Sequence, residues 1–177
     1  MKSVRLTIVC LLIFTAGTIF CQSTNAPIHL PELSNDQKWE TAEGNIVYFI
    51  IAGISYAKSN GHSAAEFGKW TGTIGLPYWK SIEGMTLERL VQEFYSNEAQ
   101  FKDLKLEILE KNDSAIKGRM KEFGIKWLRM MDWGNVSVEE YEQFFNHKWT
   151  AIANGLGYDF DQKTEGEWTY FTFRKHM

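Results

Sequence analysis

The hydrophobic pattern of this 177-residue chain predicts an α+β domain, with about four helices packed on a small antiparallel β-sheet. Two helix-start signatures, Ser63-Ala64-Ala65-Glu66 and Ser137-Val138-Glu139-Glu140, supply the first observation. In each, the serine hydroxyl accepts from the amide three residues on, while the glutamate reaches back to the serine amide. The second observation is a drop of the apolar period to two over residues 104–121, and the third is a final run of aromatic and β-branched residues at 168–173.

The first helix follows possible N-caps at Ser34, Asn35 and Asp36, with Trp39, Ala42, Ile46, Phe49, Ile50, Gly53 and Ala57 at steps of three or four. It ends at Asn60-Gly61. Nearly every position from 46 to 52 is apolar, which predicts a helix enclosed by others on most sides. The second helix starts at Ser63 and is weakened by Gly68, Gly72 and Gly75, each costing about 1 kcal/mol relative to Ala. The same glycines make a bare strip for close backbone approach, and Pro77 is expected to end the helix. A third begins at Thr86 and puts Leu87, Leu90, Val91, Phe94 and Tyr95 on one face.

Leu104, Leu106 and Ile108 then alternate with Lys105, Glu107 and Leu109, and Ile116, Gly118 and Met120 with Lys117, Arg119 and Lys121. With Asn112-Asp113-Ser114 between them, the runs form a hairpin with one dry and one charged face. On the charged face Arg119 serves either an anion or a cross-strand pair with Glu107. Residues 123–134 fit a short helix or a covering loop equally well. The fourth long helix, after Ser137, buries Tyr141, Phe144, Phe145, Trp149, Ile152 and Leu156 and stops at Gly155 or Gly157. Tyr158 and Phe160 lead to a turn at Glu165-Gly166 and the last strand, which has an aromatic on either face.

Residues 1–23 read as an export signal: Lys2 and Arg5, an apolar run over 6–20, then Cys21-Gln22-Ser23 with small residues for a peptidase. Residues 24–33, with Pro27 and Pro31, form a tether, and residues 34–177 a single domain. The expected location is secreted or periplasmic, with no stable membrane insertion, since the apolar run is shorter than the roughly 20 residues a bilayer requires. Both cysteines, Cys10 and Cys21, fall in the leader, so the exported domain has no thiol for a disulfide or a nucleophile. Losing Lys2 and Arg5 lowers the basic count from 19 to 17 against 22 acids, a formal charge of −5. No basic stripe follows a phosphate backbone, which argues against nucleic acid as a partner.

Neither a zinc motif nor a His/Cys cluster occurs, so no metal or cofactor is expected. No GxSxG or phosphate-binding glycine loop is present either. Three side chains remain as candidate acids and bases. Glu43 precedes Gly44 and the apolar run, where it is either a partly desolvated proton-transfer group or a solvated acid complementing the helix dipole. His62 and His147 are the two histidines within predicted elements. All seven tryptophans lie beyond the leader, most reading as core and a few as pocket wall.

The final quarter runs from an aromatic helix through Gly155-Leu156-Gly157-Tyr158-Asp159-Phe160 to Gly166-Glu167-Trp168-Thr169-Tyr170-Phe171-Thr172-Phe173. It resembles the end of a small bacterial α+β family that includes aminothiazoline-carboxylate hydrolase-like proteins and vinyl-reductase-like ligand-binding domains. Members of that group often carry a cysteine in the last strand, where this chain has Trp168, Thr169 and Tyr170. Cysteine chemistry therefore does not carry over. What the resemblance implies is a small-molecule pocket between helices and sheet.

Two functional readings from different classes follow. The first is a secreted protein that holds a small apolar or aromatic molecule against Trp70, Tyr78, Trp79, Trp127 and Trp133. The second is a hydrolase or isomerase in which Glu43 works with His62 or His147 as acid and base. A structural or partner-binding role is the third.

Overall fold

Ser34, Ser63, Thr86 and Ser137 each accept a backbone N–H from three residues on, and each starts a helix. At the three serines the bond is reciprocated, by Gln37, Glu66 and Glu140. The structure, a computed structural model, describes residues 31–130, 133 and 135–176. The expected leader and tether residues 24–30 lie outside the described residues. In order, the elements are α1 (Asn35–Ser59), α2 (Ala64–Lys80), α3 (Leu87–Glu98), β1 (Lys105–Lys111), β2 (Ala115–Lys121), α4 (Ile125–Met130), α5 (Val138–Gly155), β3 (Tyr158–Glu165) and β4 (Trp168–Lys175). Residues 33–177 form one unit with the α+β architecture, and α4 resolves the stretch that fitted either helix or loop.

The sheet is antiparallel throughout, in the order β1-β2-β4-β3. α3 lies over β2 and β4, and α5 over β3. Between these layers Phe94 sits at the centre of an aromatic cluster, 4.8 Å from Trp149, 4.9 Å from Phe171 and 5.3 Å from Phe173 between ring centroids. Each such pair adds about 0.5–1.5 kcal/mol beyond its area burial. The space between helices and sheet is filled by this core.

α2 packs along α5 through the bare strip. A Cβ on Gly68 would collide with the Phe144 carbonyl oxygen, and one on Gly72 with that of Lys148. Gly75 takes no part, since a Cβ there would meet only the Trp79 ring at 3.6 Å. α2 runs through Pro77 for three more residues, and the Ser81 N–H donates to the Pro77 carbonyl at 3.2 Å. Burial of Trp79 against Trp149 holds that last turn, offsetting the roughly 3 kcal/mol a helical proline costs.

α1 departs from the expected enclosure. Its buried face is Glu43, Val47, Ile51, Ile54 and Ala57, while Phe49 is 72% and Tyr56 74% exposed. Among the described residues α2 and α5 give this helix its main cover, so one stripe is dry and the apolar residues beyond it stay wet. Trp39 is also largely exposed, its indole donating to the Gln100 carbonyl at 2.8 Å. Among the described residues no helix is long and apolar enough to cross a membrane.

The dry face of the hairpin holds for β2, where Ile116, Gly118 and Met120 are buried. β1 is a sheet edge and leaves Ile108 and Leu109 about half exposed. Its register slips at Leu109, the unpaired residue between Ile108↔Gly118 and Glu110↔Lys117. On the charged face Glu107 and Arg119 are register partners, with Arg119 Nε 2.7 Å from Glu107 Oε2. Arg119 and Lys121 lie over the Trp168 ring at 4.1 and 4.7 Å.

Candidate functional site

An aromatic-lined concavity forms where α1 hands over to α2. Gly61, at φ 82°, reverses the chain in the left-handed conformation that glycine adopts at no steric cost, and the His62 N–H donates to the Ala57 carbonyl at 3.0 Å. Ser63 then caps α2, whose Phe67 reaches back to α1 at Gly53. Gly53 lets the edge of the Phe67 ring come close to α1, because a Cβ there would be 2.6 Å from that ring. Phe67 stacks on Trp70, 6.0 Å away at 20°, and touches Phe144 at 5.4 Å.

The result is a groove of about 470 Å³. Half-buried Phe67 and buried Ala57 form its base, exposed Tyr56 and Trp70 its sides, and Asn60, His62 and Glu66 its polar rim. That volume is within the usual range for small-molecule sites. Glu66 Oε2 accepts from the Ser63 N–H at 2.7 Å and its hydroxyl at 3.0 Å. The Ser63 backbone bond, then its side-chain bond, hold the Glu66 carboxyl below the ordinary range, against a small burial penalty. His62 Nδ1 is 4.0 Å from the same oxygen. Among the described residues no lysine or arginine lines the groove.

Of the five expected ligand-binding aromatics, Trp70 alone lines this groove. Tyr78 is exposed two turns further along the same face of α2, with exposed Ile74 between. Trp79 is 5% exposed and belongs to the core, edge-on to Trp149 at 5.3 Å, and does not line this groove. Trp127 and Trp133 do meet, at a different place: the Trp133 indole donates to the Trp127 carbonyl at 2.7 Å, beside Tyr48. The five are not brought together.

The acid–base candidates are also dispersed. Glu43 is fully buried, and its carboxylate accepts from the Trp127 indole at 2.9 Å and the Lys102 amide at 3.2 Å, with Lys126 Nζ at 3.3 Å. It is not solvated, and both its oxygens are engaged within the protein. His62 is at the other end of α1, roughly 24 Å along the helix axis by its 1.5 Å rise. His147 is exposed on α5. The described residues contain no cluster of histidine, cysteine and carboxylate side chains fit for a metal ion.

Two features had little sequence signal. Tyr56 and Phe67 join the groove from different helices, and only the spacing of Phe67 to Trp70 hints at the stack. Glu98 ends α3 fully buried, accepts from the Trp149 indole at 2.8 Å, and has Lys148 Nζ 3.8 Å away. Its Oε2 has no hydrogen-bond partner among the described residues. No family model matches the chain, and neither does any curated protein.

Proposed function

We propose that the protein binds a small apolar or aromatic molecule in the groove between Tyr56 and Trp70. One observation carries this reading: three aromatic side chains converge on a 470 Å³ concavity, and two of them, Tyr56 at 74% and Trp70 at 58% exposure, are left wet. Covering about 100 Å² of such surface stabilises a complex by roughly 2.5 kcal/mol, so the uncovered rings favour an occupant. The pocket implied by the family resemblance, between helices and sheet, is occupied by packed aromatics, which moves the candidate site to the helical hairpin. The apolar leader supports placing this role outside the cytoplasm.

A catalytic role has less support. Glu66 is engaged by Ser63, and Glu43, His62 and His147 do not converge. The test is titration with the neutral fluorophore N-phenyl-1-naphthylamine. Saturable binding that Trp70→Ala weakens and Trp133→Ala leaves unchanged supports the groove; binding indifferent to Trp70 overturns it.

A further inference from the structure

The lining of the groove carries one fixed charge, and it is negative. This goes a step past the reading above and rests on it: we propose that the groove selects organic cations, molecules with a flat or alkyl body and one ammonium group. The body lies between Tyr56 and Trp70 over Phe67, and the positive end is held at Glu66.

Three observations carry the choice of sign. First, the contacts described for Glu66 all fall on Oε2, from the Ser63 amide, the Ser63 hydroxyl and His62. These bonds fix the carboxylate at the rim and keep it ionised, while Oε1 has none of them and is the atom that can accept from an ammonium N–H or sit against a methylated one. Secondly, the rest of the wall is aromatic, and the face of an indole or phenol ring attracts a cation within about 6 Å of its centroid. Trp70 and Tyr56 leave much of their rings open to solvent, so those faces are reachable. Thirdly, an anion would find a carboxylate at the rim and no lysine or arginine in the lining. Among the described residues the one basic side chain of the lining, His62, lies 4.0 Å from the oxygen the Ser63 bonds already occupy. A ring of aromatics with a single acid is the chemistry by which proteins hold alkylated ammonium groups.

The experiment uses three probes of one shape: naphthylmethyl-trimethylammonium, naphthylmethanol and naphthoate. Each is titrated by calorimetry into the full chain and its Glu66→Gln variant. Glutamine at this position keeps the reciprocal cap with Ser63 and removes only the charge, so the variant is expected to melt with the parent. The expected result is about tenfold tighter binding of the cation than of the neutral probe, with the anion weakest. In Glu66→Gln the cation falls to the affinity of the neutral probe, which itself does not change. In the parent, raising salt narrows the preference. Equal affinity for all three probes, lost on Trp70→Ala, would overturn the charge selection and leave the apolar groove standing. A cation preference that survives Glu66→Gln would overturn the assignment to Glu66. Failure of all three probes to bind removes the groove reading itself.

Discussion

Trp149 donates its indole N–H to Glu98 at 2.8 Å, placing a carboxylate among the largest buried rings of the protein. The same arrangement recurs between Trp127 and Glu43 at 2.9 Å. In both cases the residue just before the tryptophan, Lys148 or Lys126, is the ammonium nearest the acid. The two acids differ in how they are satisfied. Glu43 has hydrogen bonds to both oxygens, whereas Glu98 Oε2 has none among the described residues.

Stability should therefore depend on pH through Glu98 and Lys148. Burial raises the Glu98 carboxyl above the ordinary range, with Lys148 and Trp149 opposing. Burial also lowers the Lys148 ammonium, with Glu98 opposing. Between the unfolded and the raised folded carboxyl pKa the native state holds a proton the unfolded chain has lost, so stability falls as pH rises through that window. For the lysine the native state has lost a proton the unfolded chain keeps, so stability rises again as pH climbs from its lowered pKa toward about 10.4. Denaturant midpoints across pH should show both limbs, and Glu98→Gln should remove the first. Lys148→Met should cost about 3–5 kcal/mol at neutral pH and less in acid, where Glu98 takes up a proton. A cost that stays constant with pH would show that the pair does not ionise.

Trp70 and Trp79 should separate binding from stability. Trp79→Ala removes a ring packed on Trp149 and should cost about 3–5 kcal/mol in a two-state melt. Trp70→Ala removes a ring that is 58% exposed. It should shift the melt by less than about 1 kcal/mol while weakening ligand roughly tenfold. Equal destabilisation would mean that both are core.

Gly53→Ala and Gly68→Ala test the two close approaches. At Gly68 the added methyl meets backbone, the Phe144 carbonyl, which cannot step aside without parting α2 from α5. At Gly53 it meets the Phe67 ring, a side chain that can turn. Alanine also gains about 1 kcal/mol of helix propensity over glycine. Gly68→Ala should then lower the melting temperature clearly, and Gly53→Ala should leave it nearly unchanged but spoil the groove. Tryptophan fluorescence of Trp70 and probe titration read the second effect.

Ser137→Ala should cost about 1 kcal/mol through loss of the α5 cap. Its partner Glu140 also meets Lys58 at 2.5 Å, so one acid ties the start of α5 to the end of α1. The Lys58 bond is the main cause holding its carboxyl below the ordinary range. That contribution is present above the unfolded carboxyl pKa and is lost as pH falls through the folded one. Ser137→Ala and Lys58→Met should both reduce the acid sensitivity of the melt; an unchanged pH profile in Lys58→Met would refute the tie.

The helix starts were legible in the sequence because a cap is local: Ser63 and Glu66 need only three residues between them to form their bonds. Period two likewise exposed β2, whose neighbours on both sides enforce alternation. The groove was not legible. It depends on the rotation of α1 about its axis, and the apolar run over 46–52 offers several dry stripes of similar hydrophobicity, of which packing by α2 and α5 selects one. The burial of Trp79 was not legible either, because Gly75 and Pro77 beside it suggest an irregular rim, whereas its contact with Trp149 comes from a helix 70 positions later. Glu98 and Lys148 are 50 positions apart, and charged residues at such separation carry no pattern that announces a buried pair.

The slipped register at Leu109 has a consequence for the molecule in a crowd. An outer strand is a row of unpaired amides on which another chain can add, and two half-exposed apolar residues, Ile108 and Leu109, would invite that growth. The extra residue bends the row out of line. It also carries Lys111 opposite buried Ile116, where its ammonium bonds Glu88 of α3 at 2.8 Å. A strand arriving from outside would meet a kink and then a charge already engaged by α3, so this border of the sheet resists fibrous polymerisation. Deleting Leu109 would straighten it.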